Sequence, residues 1–100
     1  MLLLDEPAAG LDEAETRELS ELVVRLASAY ATTLRKGSVV TTSRDHSRAA
    51  RALKRAAIAA LNASAIDVRD LEVAPPSVTR LEAGRAGGAG GLMIRTTPGV

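Results

Sequence analysis

Aromatic side chains are nearly missing from this chain of 100 residues, which has one Tyr, no Phe and no Trp. Much of its 46% hydrophobic share is alanine. Alanine buries little area, whereas each large apolar side chain contributes about 1.5–3 kcal/mol when fully buried. A core built from so few large residues suggests a piece whose apolar surface expects other protein, or else a small Ala-rich helical domain. Cysteine is absent altogether, which excludes both a disulfide framework and a thiolate metal site. No apolar run approaches the roughly 18 residues needed to cross a bilayer. Charge of one sign is lacking too: 13 basic residues face 12 acidic ones. That balance gives no general argument for nucleic acid or an anionic membrane as partner. These absences together read as a soluble, cytoplasmic protein.

What is present is concentrated at the start. Leu2, Leu3 and Leu4 form a short apolar run that reads as a buried strand. It meets two adjacent carboxylates, Asp5 and Glu6, and then Pro7, which cannot donate to a ladder. Ala8, Ala9 and Gly10 make a small-residue turn, closed by Leu11 and Asp12. A strand that delivers paired acids at the edge of a sheet can direct metal chemistry. One acid would hold Mg²⁺ and the other would polarise an attacking water. The plainer reading is a charged loop after a strand. A strand this early has no earlier partner, so a parallel sheet would need a neighbour from upstream.

Asp12 reads as a helix N-cap, with Glu15 three residues on completing a capping box. Leu19, Leu22, Val23, Leu26 and Tyr30 form a helical stripe, which predicts a helix over 13–29. Residues 31–38 read as a connection, and the β-branched run 39–42 as a second strand. Ser43 or Asp45 could cap the next helix, to about Leu61, with Leu53, Ala57, Ala60 and Leu61 on one face. Arg44, Arg48, Arg51 and Arg55 fall near another face, with Lys54 beside them, and read as solvated. Residues 66–73 alternate apolar and polar with a slip of phase, consistent with an exposed, bulged strand. Pro75 and Pro76 end it, and Ser77 could cap a short helical turn. From Gly84 onward the glycine and alanine content predicts a weakly structured tail.

The string LLLDEPAAGLD resembles the Walker B segment and D-loop of ATP-binding cassette (ABC) ATPases, most closely the ATP-binding subunits of branched-chain amino acid importers. The resemblance covers 2–12 and continues in style to about Ala29. It implies an incomplete P-loop NTPase-like α/β fragment of strand-helix-strand-helix order, truncated at Walker B. Asp5 would be the Mg²⁺-associated acid and Glu6 the catalytic carboxylate. Ala9, Gly10, Leu11 and Asp12 would form the D-loop at a dimer contact, and His46 would be a γ-phosphate contact. The implied cofactors are ATP and Mg²⁺. The implied partners are a second ATP-binding subunit and membrane-spanning permease subunits, which would hold the chain peripherally at the inner face of the membrane. Nucleic acid is not among them.

The chain departs from that family in three ways. No P-loop pattern GxxxxGK[ST] occurs, so nothing supplies the phosphate cradle. Arg44 stands where the family's switch histidine belongs, and His46 fits only after a shift of two residues. Residues 49–65 are an Ala/Arg-rich helical run where the family continues with a strand and a glycine turn. The expectation is therefore an ATPase-domain fragment over 1–65, a short strand and turn over 66–83, and a flexible Gly-rich tail over 84–100, inactive alone. Two alternatives remain: a non-catalytic module that associates with an intact ATPase subunit, and a small α/β domain unrelated to that family.

Overall fold

The computed structural model of the chain describes residues 2–7, 13–45, 47–85 and 88–97, without the side chains of 2–7, 96 and 97. Seven elements follow one another: β1 (Leu2–Pro7), α1 (Glu13–Thr32), β2 (Val39–Arg44), α2 (Arg48–Ala63), β3 (Asp67–Val73), α3 (Pro76–Ala83) and β4 (Gly88–Thr97). The strands form one sheet in the order β1-β4-β2-β3, and every pair is parallel. Parallel neighbours need crossover connections, and the helices supply them. The α/β class expected from the sequence is the class observed.

Alternation along β2 assigns the two faces. Val40 joins a core with Val23, Ala27 and Ala31 of α1, Ala50, Leu53, Ala57 and Leu61 of α2, and Leu92 and Ile94 of β4. Ser43 points the other way, where its hydroxyl lies 2.7 Å from that of Thr79 on α3, both buried. The result is three layers: α1 and α2 on one face, the sheet, and α3 on the other. The alanines matter here. They present so little side chain that α1 and α2 approach closely, which substitutes helix proximity for bulk. This rotates α1 from the expected stripe. Val23, Ala27 and Ala31 are buried, while Leu22 and Leu26 are exposed.

The first departure from expectation is at the C-terminal end, where Gly88–Thr97 forms β4 instead of a tail. It lies between β1 and β2, pairing Leu2 with Leu92 on one edge and Thr42 with Leu92 on the other. The neighbour that β1 needs thus comes from downstream. Propensity was misleading because a buried central strand is stabilised by two ladders and by packing, not by its glycines. Gly90 has a further role. A side chain there would collide with the Tyr30 hydroxyl, so the strand is smooth where the one aromatic residue crosses it. Burial pushes the Tyr30 phenol up from its ordinary pKa, and a hydrogen bond with the Gly91 backbone opposes this only in part.

Smaller differences have local causes. Strand β1 runs on through Asp5, Glu6 and Pro7. Among the described strands it is at an edge of the sheet, where a proline is tolerated. Ser47, not Ser43 or Asp45, caps α2 by accepting from the Ala50 amide at 3.0 Å. Asp45 instead accepts from the Ser47 amide at 2.9 Å. Helix α3 starts after Pro75 with no side-chain cap. The phase slip in 66–73 is a real bulge: Thr42 pairs with Asp70, but Arg44 pairs with Val73.

Gly90→Ala is expected to lower stability by about 1–2 kcal/mol in urea denaturation, since Tyr30 must give way. The same change should cost less in a Tyr30→Phe background, where the colliding oxygen is gone. An unchanged midpoint for Gly90→Ala would show that β4 does not pass beneath Tyr30.

Candidate functional site

In a parallel sheet all carboxyl ends lie at one edge, and ligands bind outside it where successive helices leave for opposite faces. Here β2 leads to α2 on one face and β3 leads to α3 on the other, so that point falls between the ends of β2 and β3. The ladder stays closed up to the edge. The Asp45 amide donates to the Ile94 carbonyl at 3.1 Å, and the Ala74 amide donates to the Arg44 carbonyl at 3.3 Å.

Arg44 is the last residue of β2. Its Nη1 donates to the Asp45 carbonyl at 3.0 Å, and its side chain is 14% exposed. Its Nε is buried and has no hydrogen-bond partner among the described residues. A guanidinium held this way retains donors in a planar fork suited to phosphate oxygens. The amino end of α2 faces the same edge and adds the positive end of a helix dipole. Arg48 in its first turn is exposed, as are Arg51 and Arg55 further along. These three are the solvated face that the sequence suggests; Arg44 is at the strand end and is not part of it. Arg95 lies one residue past Ile94 on β4, opposite Asp5 of β1.

Beside Arg44 is a charge cluster that sequence reading did not find. Lys54 of α2 is buried, its side chain 3% exposed. Its Nζ donates to both oxygens of Asp70 on β3, at 2.7 and 3.0 Å, and to Oε2 of Glu72 at 3.2 Å. Asp70 Oδ1 also accepts from the Thr42 hydroxyl at 3.1 Å and the Glu72 amide at 3.0 Å. Burial pushes the Asp70 carboxyl up, but the hydrogen bonds from Lys54, the Glu72 amide and Thr42, with the Lys54 charge, outweigh it. The net effect holds it below its ordinary value. The signal was available, because Lys54 sits inside the spacing of Ala50, Leu53, Ala57 and Leu61. A lysine in a core stripe asks for a buried counter-ion.

The bulge in β3 places Glu72 at φ 63°, a left-handed conformation that costs a non-glycine residue on the order of 1 kcal/mol. Its Oε2 lies 3.8 Å from Arg44 Nη2. Arg44, Lys54, Asp70 and Glu72 therefore form a neutral four-member set along the α2 side of the edge.

Asp5 and Glu6 fall within β1, opposite Arg95 and Thr96, and their side chains are outside the description. Ala9, Gly10, Leu11, Asp12 and His46 also lie outside the described residues.

These features define a three-layer α/β/α domain with a charge-compensated arginine and lysine at its carboxyl edge. A model of the family described as "Phosphoglucomutase/phosphomannomutase, alpha/beta/alpha domain I" matches residues 12–97. The chain belongs to that family. No curated protein and no solved structure gives a match.

This corrects the ABC reading. The string that suggested it lies outside the matched residues except for Asp12. An apolar strand, an acid pair, a glycine turn and a capped helix are parts that a β-α crossover of another family can equally present. The ATP-binding subunit, the importer likeness, transport, ATP as cofactor and the permease or second-subunit partners all lose their basis. So does peripheral attachment to a membrane through them. No helix among the described residues is long and apolar enough to cross a membrane. The module docked on an intact ATPase lapses with its host. The small α/β domain outside the ABC family is the alternative that fits.

Phosphohexomutases typically use Mg²⁺. The described carboxylates at this edge do not suit it. Asp70 is filled by Lys54 and Thr42, Asp45 accepts from Ser47, and Glu72 faces two cations. Among the described residues no group of three or more acidic or imidazole ligands converges.

Lys54→Met is expected to cost about 3 kcal/mol, because it leaves Asp70 with its partner gone. Asp70 has the lower pKa in the folded state. Its contribution is therefore complete above its unfolded value near 3.9 and is lost as pH falls through the folded one. An acid titration of stability should show this slope in the native chain and lose part of it in Asp70→Asn. Equal slopes would place the Asp70 ion pair outside the folded structure.

Proposed function

We propose that this chain serves as a phosphate-binding α/β/α domain of a phosphohexomutase, an enzyme that moves a phosphoryl group between hydroxyls of a hexose. The family match over 12–97 supports the class. The observation that carries the binding role is Arg44. It is a mostly buried guanidinium at the carboxyl edge, where two crossover helices diverge, and its buried Nε has no partner among the described residues. Phosphoryl transfer depends on positioning and on neutralising charge more than on covalent help from the protein. In this reading Arg44 holds the phosphoryl oxygens, and the amino end of α2 supplies further positive potential. The fixed Lys54–Asp70 pair ties α2 to β3 beneath it, and the Thr42 hydroxyl joins β2 to the same carboxylate.

Asp45, Asp70 and Glu72, the described carboxylates at this edge, are already engaged and do not suit Mg²⁺. In this reading the chain works as one domain of a larger catalytic unit, and alone it is expected to bind substrate without interconverting it.

Glucose 6-phosphate binding by calorimetry tests the reading. Arg44→Ala should weaken it about ten- to a hundredfold, as expected for loss of hydrogen bonds to a charged group. Arg44→Lys should recover only part, since an ammonium cannot form the planar fork. Absence of binding by the native chain, or equal binding by Arg44→Ala, would defeat the assignment.

A further inference from the structure

Glu72 is exposed, strained and directed at the residue proposed to bind phosphate. Lys54 shares it with Arg44 and holds Asp70 more tightly. Asp70 accepts two of the three ammonium donors, at 3.0 and 2.7 Å, and Glu72 accepts the third at 3.2 Å, on an exposed side where water can take its place. The backbone does not favour it, since φ 63° is a conformation suited to glycine. Its carboxylate nevertheless lies 3.8 Å from Arg44 Nη2. That is beyond hydrogen-bond length but well within range of charge. With its side chain 68% exposed, Glu72 can be displaced into water by an arriving ligand.

We infer that Glu72 is the resident counter-ion of Arg44, set by the β3 bulge, and that a phosphoryl group binds by displacing it. This rests on the phosphate-binding reading of Arg44. Glu72 is then an affinity-setting residue that acts through Arg44. Its carboxylate neutralises the guanidinium in the free chain, and its repulsion lowers affinity for the dianion. A purely structural residue would have the opposite sign, because its removal loosens the site.

Two variants isolate the carboxylate. Glu72→Gly removes it and suits the left-handed backbone, while Glu72→Gln keeps the length and removes the charge. Glu21→Gln on α1 makes the same change of net charge away from the site. Each full-length chain is titrated with glucose 6-phosphate and, separately, with inorganic phosphate, after circular dichroism and a melting curve verify folding. Both Glu72 variants should bind both probes about three- to fivefold more tightly, as expected for removing one partly solvated charge contact. Glu21→Gln should match the native chain. Native-like or weaker binding by both Glu72 variants would overturn this inference and leave the Arg44 assignment standing. So would an equal gain in Glu21→Gln. Absence of binding by every chain would overturn both.

Discussion

The two parallel ladders of β4 hold the sheet together, since β1 is joined to β2 only through it. Each ladder has a demand that shapes the sequence. On the α1 side the strand must pass beneath Tyr30, which explains a glycine at 90. Further on it must fill the core, and Leu92 and Ile94 do so with no exposure. Against β2 its register shifts between Val39 and Val40, which absorbs Ala89 as an extra residue. The glycine tract and the apolar patch that follows it are thus successive parts of one strand. A chain with so few large side chains gains from this arrangement, because alanine-lined helices can approach each other and the sheet closely.

The fold was legible where local pattern and tertiary environment agree. The helix read over 13–29, the strand over 39–42 and the phase slip in 66–73 follow from periodicity or its interruption, and they match α1, β2 and the bulged β3. It was not legible where the environment overrides propensity. Gly88–Thr97 reads as a tail by composition, and nothing local reveals that two strands enclose it. The stripe on α1 was misphased because alanines were discounted as core residues, although Ala27 and Ala31 are buried and Leu22 is not. The site divided in the same way. Arg44 stood out as basic, but its place at a strand end needed the boundary of β2. Lys54 was assigned beside a solvated face although its spacing belongs to the buried one. The acid pair at Asp5 and Glu6 drew attention through a short string with a well-known counterpart, and the match over 12–97 assigns the chain elsewhere.

Electrostatics at the carboxyl edge is layered. Deepest is the Lys54–Asp70 pair, which ties α2 to β3 and is reinforced by Thr42 of β2. Further outward, Arg44 and Glu72 form a looser pair, with Glu72 also accepting from Lys54 at 3.2 Å. The inner pair fixes geometry, while the outer pair can rearrange. That division suits a site that must hold a phosphoryl group and release it: the scaffold is rigid where strands meet, and the exchangeable charge is at the surface. It also explains why the cluster is neutral. A buried lysine and a mostly buried arginine require compensation when no ligand is present.

The central claim is that phosphate is held at the carboxyl edge of β2. Its most direct measurement is a titration of ¹⁵N-labelled chain with glucose 6-phosphate, followed by nuclear magnetic resonance. The account predicts saturable shifts of the Arg44 side-chain Nε signal and of the Asp45 and Ser47 amides. Signals at the opposite edge, Val39 and Asp67, should stay in place. Saturation without movement of the Arg44 signal, or shifts confined to the Val39 and Asp67 end, would contradict it.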